Sequence, residues 1–266
     1  MQKELITQLE NAARKAGQII LSASDIERKT SEKEGHGNFV TEYDRKVQKY
    51  LSSELRKILP EAYFLGEEEG EDQFREEYRQ GYLFIVDPID GTANFLSGFR
   101  TSVVSIALFR DGKPWIGVIY NPYEDAMFSA ERDCGAYKNG SSIRSLDHDL
   151  AHSLVLFGTA PYYEDKYELT FVLARKYMQL GMDIRRFGAA AWDLCCLADG
   201  RAGLFFEAKL SLWDFAAGAL IAEEAGCKVT DLDGHPLSFD GPSSVLAASR
   251  GVAAEGNYLP REVPGI

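Results

Sequence analysis

The chain has 266 residues, 45% of them hydrophobic and 26% charged, and 41 acidic against 29 basic side chains give a formal net charge of −12 at pH 7. Such apolar content supports a sizeable core in one large domain or two packed halves, and the acidity argues against nucleic-acid binding through a basic face. No apolar run has membrane-spanning length, and the start Met1-Gln2-Lys3-Glu4-Leu5 lacks a signal peptide's basic-then-apolar pattern, so a soluble cytoplasmic protein is expected. Of the cysteines, Cys195 and Cys196 are adjacent and Cys134 and Cys227 stand apart. None forms a C-x-x-C pair, which predicts buried free thiols rather than a zinc site or a disulfide framework.

In chain order, Leu5, Leu9, Ala12, Ala13, Ala16, Ile19 and Ile20 fall on one face of a first helix. Residues 24–37 are polar, charged and glycine-containing, and read as a mobile loop. A second helix is expected from about Thr41 to Ile58, with Val47, Tyr50, Leu51, Leu55 and Ile58 inward. Strands follow near 62–65, 82–86, 103–109, 115–120 and 126–130, the last three joined by Asp111-Gly112 and Asn121-Pro122 as an antiparallel meander. After about residue 147 the pattern alternates: strand 153–157, helix 164–180, strand 183–187, helix 190–198, strand 203–207 and helix 214–225. Strands near 227–230 and 244–248 complete an α/β half. The expected division is 1–146 and 147–266, with no linker, internal repeat or low-complexity tract.

The most informative stretch is Asp87-Pro88-Ile89-Asp90-Gly91-Thr92, directly after the apolar run Tyr82-Leu83-Phe84-Ile85-Val86. A buried-type strand ends, two carboxylates follow three residues apart, Pro88 fixes one backbone angle, and Gly91 allows a tight turn. Thr92 and Asn94 are good helix starters. The carboxylates can supply hard oxygen ligands to a divalent cation, and the helix start can supply N–H donors to a phosphate. The competing interpretation is a plain turn and cap, since Asp, Pro, Gly and Thr are ordinary turn residues. Further acids tip the balance: Glu67, Glu68 and Glu69 after Ala62-Tyr63-Phe64-Leu65-Gly66, and Asp214 at the head of an Ala-rich helix in Leu212-Trp213-Asp214-Phe215-Ala216-Ala217-Gly218. Asp44 lies three residues after Thr41 and reads as a capping-box partner, a role compatible with a second one. A phosphate entering such a cluster is repelled by about 4 kcal/mol per like-charge pair at ~4 Å and an effective dielectric near 20. A phosphate site here therefore needs metal.

Together these pieces resemble the inositol monophosphatase family of Mg²⁺-dependent, lithium-sensitive phosphatases. The matching segments are Val40-Thr41-Glu42-Tyr43-Asp44, Gly66-Glu67-Glu68, Asp87 through Phe95, and Trp213 through Gly218, in the family's order and over nearly the whole chain. The resemblance implies an α+β/α/β layered sandwich, alternating helix and sheet layers, with an N-terminal antiparallel-sheet half, a C-terminal α/β half and the metals between them. It implies two to three Mg²⁺ ions: Glu67, Asp87 and the Ile89 carbonyl on a first, Asp87, Asp90 and Asp214 on a second, and a weaker third near Glu67 and Glu68. Asp44 and Thr92 resemble the pair that activates the attacking water, and the Gly91 and Thr92 N–H groups would cradle the phosphate. Glu207, the backbone at Ala190, and Thr159 match positions that face the alcohol part of the substrate. Lys33 is either a basic residue near the metals or a solvated lysine.

The expected activity is inositol-1-monophosphatase by a homodimeric enzyme with a small-molecule partner, no nucleic acid and no membrane. Histidinol phosphatase, fructose-1,6-bisphosphatase and 3′(2′),5′-bisphosphate nucleotidase use the same scaffold and stay open. Bisphosphate nucleotidases usually carry Lys-Glu-Phe where this chain has Ala93-Asn94-Phe95, which favours the monophosphatase branch. Asp90-Gly91-Thr92 is also similar to the D-x-D-G-T motif of haloacid-dehalogenase-type phosphatases, but Pro88 occupies the nucleophile's position. A non-catalytic polyol-phosphate-binding protein would have lost Asp44 or Thr92, and both are present. Ala189 stands where the family usually has Ser or Thr and Ala93 where Thr is more frequent, departures that bear on substrate identity.

Overall fold

The computed structural model describes residues 2–26, 30–32, 39–69, 74–256 and 258–260; Lys33 falls outside them. Helix α1 (Gln2–Leu21) buries Leu9, Ala12, Ala13, Ala16 and Ile20, the stripe expected from its spacing. Within 24–37, read above as loop, strand β1 (Thr30–Glu32) pairs antiparallel with β2 (Phe39–Thr41). Three polar residues on a two-stranded ribbon carry no apolar alternation, so nothing in the pattern marked β1. Thr41 then caps α2 (Glu42–Ile58), and Asp44 completes a capping box. Val47, Leu51 and Leu55 are buried, while Tyr50 and Ile58 are half-buried.

A seven-stranded sheet follows: β3 (Tyr63–Gly66), β4 (Tyr82–Asp90), β5 (Val103–Arg110), β6 (Lys113–Asn121), β7 (Ala126–Glu131), β8 (Ala136–Lys138) and β9 (Ser141–Ile143), in that spatial order. All neighbours are antiparallel except β3 and β4. Both faces are covered. Phe84 and Val86 join α1 and α2 in one core, and Leu83 and Ile85 join α5 (Ala190–Ala198) and α6 (Leu212–Glu224) in another. Double coverage is why β4 reads as an unbroken apolar run.

The second sheet has the order β11-β10-β12-β14-β13, built from β10 (Leu154–Phe157), β11 (Asp183–Arg185), β12 (Leu204–Leu210), β13 (Lys228–Thr230) and β14 (Ser243–Ala248). β11, β10 and β12 are parallel, and β14 is antiparallel to both β12 and β13. Helices α5 (Ala190–Ala198) and α6 (Leu212–Glu224) lie between the sheets, and Phe205 and Ala247 face them. The other face, with Phe206 and Leu246, packs on α4 (Tyr167–Leu180) and α7 (Arg250–Glu255). The result is five alternating layers, helix–sheet–helix–sheet–helix. Because α5 and α6 are covered on both sides they are apolar nearly all round, as a buried helix must be.

Three cysteines are buried free thiols, but Cys134 is exposed in the turn after β7, where no layer covers it. No helix among the described residues is long and apolar enough to cross a membrane.

Candidate active site

Strand β4 does not end at Val86, as its sequence suggested. It continues through Asp87-Pro88-Ile89 to Asp90, with a shift of register against β5: Asp87 stands opposite Ser105 and Asp90 opposite Val103. Residues three apart on a regular strand point to opposite faces. The bulge, at a proline that cannot donate to the ladder, cancels that alternation. Asp87, Ile89 and Asp90 consequently border one cavity of about 460 Å³, together with Glu67 from the 3₁₀ turn after β3 and Asp214 from the start of α6.

The three aspartates are each fixed by backbone. Asp87 Oδ1 accepts the Ile89 N–H at 2.9 Å. Asp90 Oδ2 accepts the Ala191 N–H at 2.7 Å, and the Ala190 and Trp192 N–H groups also face it, so Asp90 caps α5, whose own N-cap residue Ala189 offers no side-chain acceptor. Asp214 Oδ2 accepts the Ser211 N–H at 2.7 Å in a capping box. Ser105, opposite Asp87, sends its hydroxyl toward the Trp213 carbonyl at 3.4 Å, which seats the start of α6 against the bulge.

Gly91 takes φ 84°, left-handed backbone that favours glycine. It is the N-cap of α3 (Thr92–Ser97) and provides no side-chain acceptor, so Thr92 and Asn94 are not the caps they resembled. Asn94 instead donates to the Phe187 carbonyl at 2.7 Å, tying α3 to the segment before α5. The Thr92 hydroxyl lies 3.3 Å from Asp44 Oδ1 and 3.2 Å from the Ile89 carbonyl. Asp44 is buried and accepts the Thr41 N–H at 2.7 Å through Oδ2, so one oxygen serves the capping box and the other faces Thr92. It does not border the cavity itself and reaches it through Thr92.

On the opposite wall Glu207, midway along β12, is buried and accepts the Ala160 N–H at 2.8 Å. A Cβ on Gly158 would stand 1.9 Å from the Glu207 carboxylate, so only glycine leaves room for it. Gly158, Ala160 and Ala190 border the cavity; Thr159 does not. The sequence did not single out Tyr162, Tyr163, Arg186, Lys209 and Ser211, which also line the wall, as does Trp213 of the matching segment Trp213–Gly218. Lys209 was findable, because it stands two positions after Glu207 on a strand.

Burial and mutual repulsion dominate the electrostatics. Asp87 is pushed well above the ordinary carboxylate range by burial first, then by Glu67, Asp90, Asp214 and Asp44. Asp214 is pushed up by burial, then by Asp90 and Glu67. Burial lifts Asp90 to about 7 against the pull of the α5 N–H groups, and Glu207 to about 7 against the Ala160 N–H. Burial also raises Asp44, opposed by its two bonds from Thr41. Five acids, Glu67, Asp87, Asp90, Glu207 and Asp214, border one cavity with Ile89 and with no His or Cys in its wall, a hard-oxygen donor set of the kind that suits Mg²⁺. Among the described residues the tightest potential ligand group lies elsewhere, at Asp231, Asp233 and His235. There Asp231 Oδ1 accepts the N–H groups of Asp233 and His235, which is an exposed Asx turn.

Comparison with known proteins agrees with this layout. The inositol monophosphatase family matches residues 1–262. A Vibrio cholerae protein named Nus factor SuhB is 35% identical over 246 residues, covering 91% of each chain. An inositol-1-monophosphatase of Mesorhizobium japonicum is 36% identical over 247 residues, covering 91% of this chain and 90% of its own. The crystal structure of extragenic suppressor protein suhB from Bartonella henselae superposes with a TM-score of 0.87 at 35% identity, over 99% of this chain and 100% of that one. With the five-layer fold and a match running almost end to end, the chain belongs to the inositol monophosphatase family.

Proposed function

We propose that this protein is a Mg²⁺-dependent phosphomonoester hydrolase that uses water directly, with myo-inositol 1-phosphate as the first substrate to test. The observation that carries this reading is the Asp44–Thr92 pair, at 3.3 Å, beside an all-oxygen acidic cavity. Several relatives bear the name Nus factor SuhB, so family membership alone does not supply an activity. The retained pair is what favours hydrolysis over a binding module.

Glu67, Asp87 and the Ile89 carbonyl would hold one Mg²⁺, and Asp87, Asp90 and Asp214 a second, with Glu67 and Glu68 beside a third. When bound, these ions neutralise phosphoryl charge and acidify water. The Thr92 hydroxyl orients the attacking water and passes its proton toward Asp44, which is buried and raised toward the range useful in a base. The N–H groups of Gly91 and Thr92 receive a phosphoryl oxygen. Glu207 and the Ala190 backbone take the alcohol; Thr159, expected beside them, lies outside the cavity wall. The ester P–O bond breaks as the water oxygen bonds to phosphorus, the leaving alkoxide takes a proton from solvent water, and Asp44 returns the proton it accepted to solvent; no phosphoenzyme forms. In this scheme residues 1–146 carry most metal ligands, and 147–266 carry Asp214 and the alcohol contacts.

The test is a phosphate-release screen over inositol phosphates, sugar phosphates, histidinol phosphate and adenosine bisphosphates. Release is expected with Mg²⁺, none in chelator, and inhibition by Li⁺. Full turnover in a chelating buffer, or no release from any phosphomonoester by folded, Mg²⁺-loaded protein, overturns the proposal.

A further inference from the structure

The cavity has a cationic wall that hydrolysis of a neutral polyol phosphate does not use. β11, β10 and β12 are parallel neighbours, so their C-terminal ends share one edge of the sheet. Arg186 follows β11, Gly158 follows β10, and Glu207 and Lys209 lie on β12 beyond Phe206, its last residue paired with β10; all border the cavity. This edge is where open α/β sheets receive ligands.

Two features of these cations stand out in a chain of net charge −12. No ion pair engages either one among the described residues, although acids are abundant. Lys209 Nζ rests 3.9 Å from the centre of the Tyr163 ring, and the Arg186 guanidinium folds beside Gly188, where an added Cβ would meet it at 3.2 Å. Their charge is also directed. Arg186 is the cation that holds down Glu207 and Asp193, whereas the principal influences on Asp87, Asp90 and Asp214 include no cation. Arg186 therefore acts at the alcohol end of the cavity, leaving the acids at the phosphoryl end for metal. Buried acids elsewhere do not explain it. Among the described residues Asp193 Oδ1 has no hydrogen-bond partner, and Arg186, whose charge favours the ionised Asp193, forms no ion pair with it.

From this placement we infer that the preferred substrates are phosphomonoesters carrying a second anionic group, a phosphate or a carboxylate, which Arg186 and Lys209 bind across the cavity from Asp87, Asp90 and Asp214. The inference rests on the hydrolase reading and narrows its substrate class. A planar guanidinium and a mobile ammonium on neighbouring strand ends suit an oxyanion whose distance from the scissile group varies with the alcohol. A neutral polyol would leave both cations facing solvent.

The experiment compares matched substrates that differ only in the second anion: fructose 1,6-bisphosphate against fructose 1-phosphate, and 3-phosphoglycerate against glycerol 3-phosphate. The quantity read is the ratio of kcat/KM within each pair, for the native protein, Arg186→Ala, Lys209→Ala and Lys209→Arg. The native ratio is expected to exceed one, to fall at least ~10-fold in each alanine variant through KM, and to be restored by Lys209→Arg. The pair that shows the fall identifies phosphate or carboxylate as the second group. The preference should also shrink as salt is raised, because Arg186 is exposed. Native ratios at or below one in both pairs, or ratios that the alanine variants leave unchanged, overturn the inference. If no substrate turns over, the hydrolase reading fails separately. The same ratios are then read as dissociation constants by calorimetry in Ca²⁺, with the same outcomes deciding.

Discussion

Asp44 divides its two oxygens between tasks that make different demands. Oδ2 accepts the Thr41 N–H and holds the first turn of α2, while Oδ1 faces the Thr92 hydroxyl. A base that acts only as the transition state forms alters turnover more than affinity. Thr92→Ala keeps the backbone N–H, and Asp44→Asn keeps the size of the side chain and much of its capping ability. Each is expected to lower kcat by at least ~10²-fold, the usual scale for a positioned base. Substrate affinity measured with Ca²⁺ in place of Mg²⁺ should change little. The double variant should lose much less than the product of the two effects, because one relay serves one proton. Near-normal kcat in either single variant removes the pair from the mechanism. These residues were legible because polar side chains set against apolar runs are conspicuous. Arg186 was not, because a cation beside a strand end looks the same in sequence whether it faces a cavity or open solvent, whereas Lys209 could have been found from its spacing to Glu207.

The elements divide in the same way. Helices α1 and α2 followed from their apolar stripes, and β4 to β7 from their unbroken apolar runs. The end of β4 was misjudged by four residues, since acids after an apolar run look like a turn. Only the pairing with β5 reveals a bulge. The capping of α5 by Asp90 was invisible for a related reason: donor and acceptor are 101 positions apart. The β10 end carries a constraint that only the structure reveals, the lack of room at Gly158. Gly158→Ala places a methyl group inside the space of the buried Glu207 carboxylate. Either the loop or Glu207 must move, and Glu207 would lose the Ala160 N–H. Overpacking of this kind costs about 1–3 kcal/mol. We expect a lower denaturation midpoint in urea, with a KM raised more than kcat is lowered. An unchanged midpoint and unchanged kinetics would mean that Glu207 is less tightly held than its hydrogen bond implies.

At the scale of the whole molecule, the five layers meet at a cavity whose acids oppose folding unless something neutralises them. Asp90 and Glu207 have folded-state pKa values near 7, and Asp87 and Asp214 are raised as well, chiefly by burial. In the unfolded chain such groups titrate near ~4. Between those values the folded protein holds protons that the unfolded chain has released, so stability falls as pH rises through the window. The contribution of these groups is fully present below pH ~4 and is lost as pH passes about 7. Carboxylates shifted the other way, such as Asp125, Asp149 and Asp183, are exposed and paired at the surface. Their stabilisation is screened by solvent and is lost only as pH falls through their own lowered values, so it does not cancel the trend. The metal-free protein should therefore melt at a higher temperature at pH ~5.5 than at pH ~8, by an amount reflecting a few kcal/mol. Mg²⁺ held by the ionised acids, as proposed, would stabilise only the folded state, so saturating Mg²⁺ should raise the melting temperature most at pH ~8 and flatten or reverse the slope. Asp214→Asn removes one of the repelling charges without removing the cap acceptor, so its metal-free form should show a shallower slope and a smaller response to Mg²⁺. Calorimetry of both proteins at the two pH values, with chelator and with Mg²⁺, decides the matter. A melting temperature that rises with pH in chelator, or a Mg²⁺ response that Asp214→Asn leaves intact, would show that the cavity acids are neutralised by some other means.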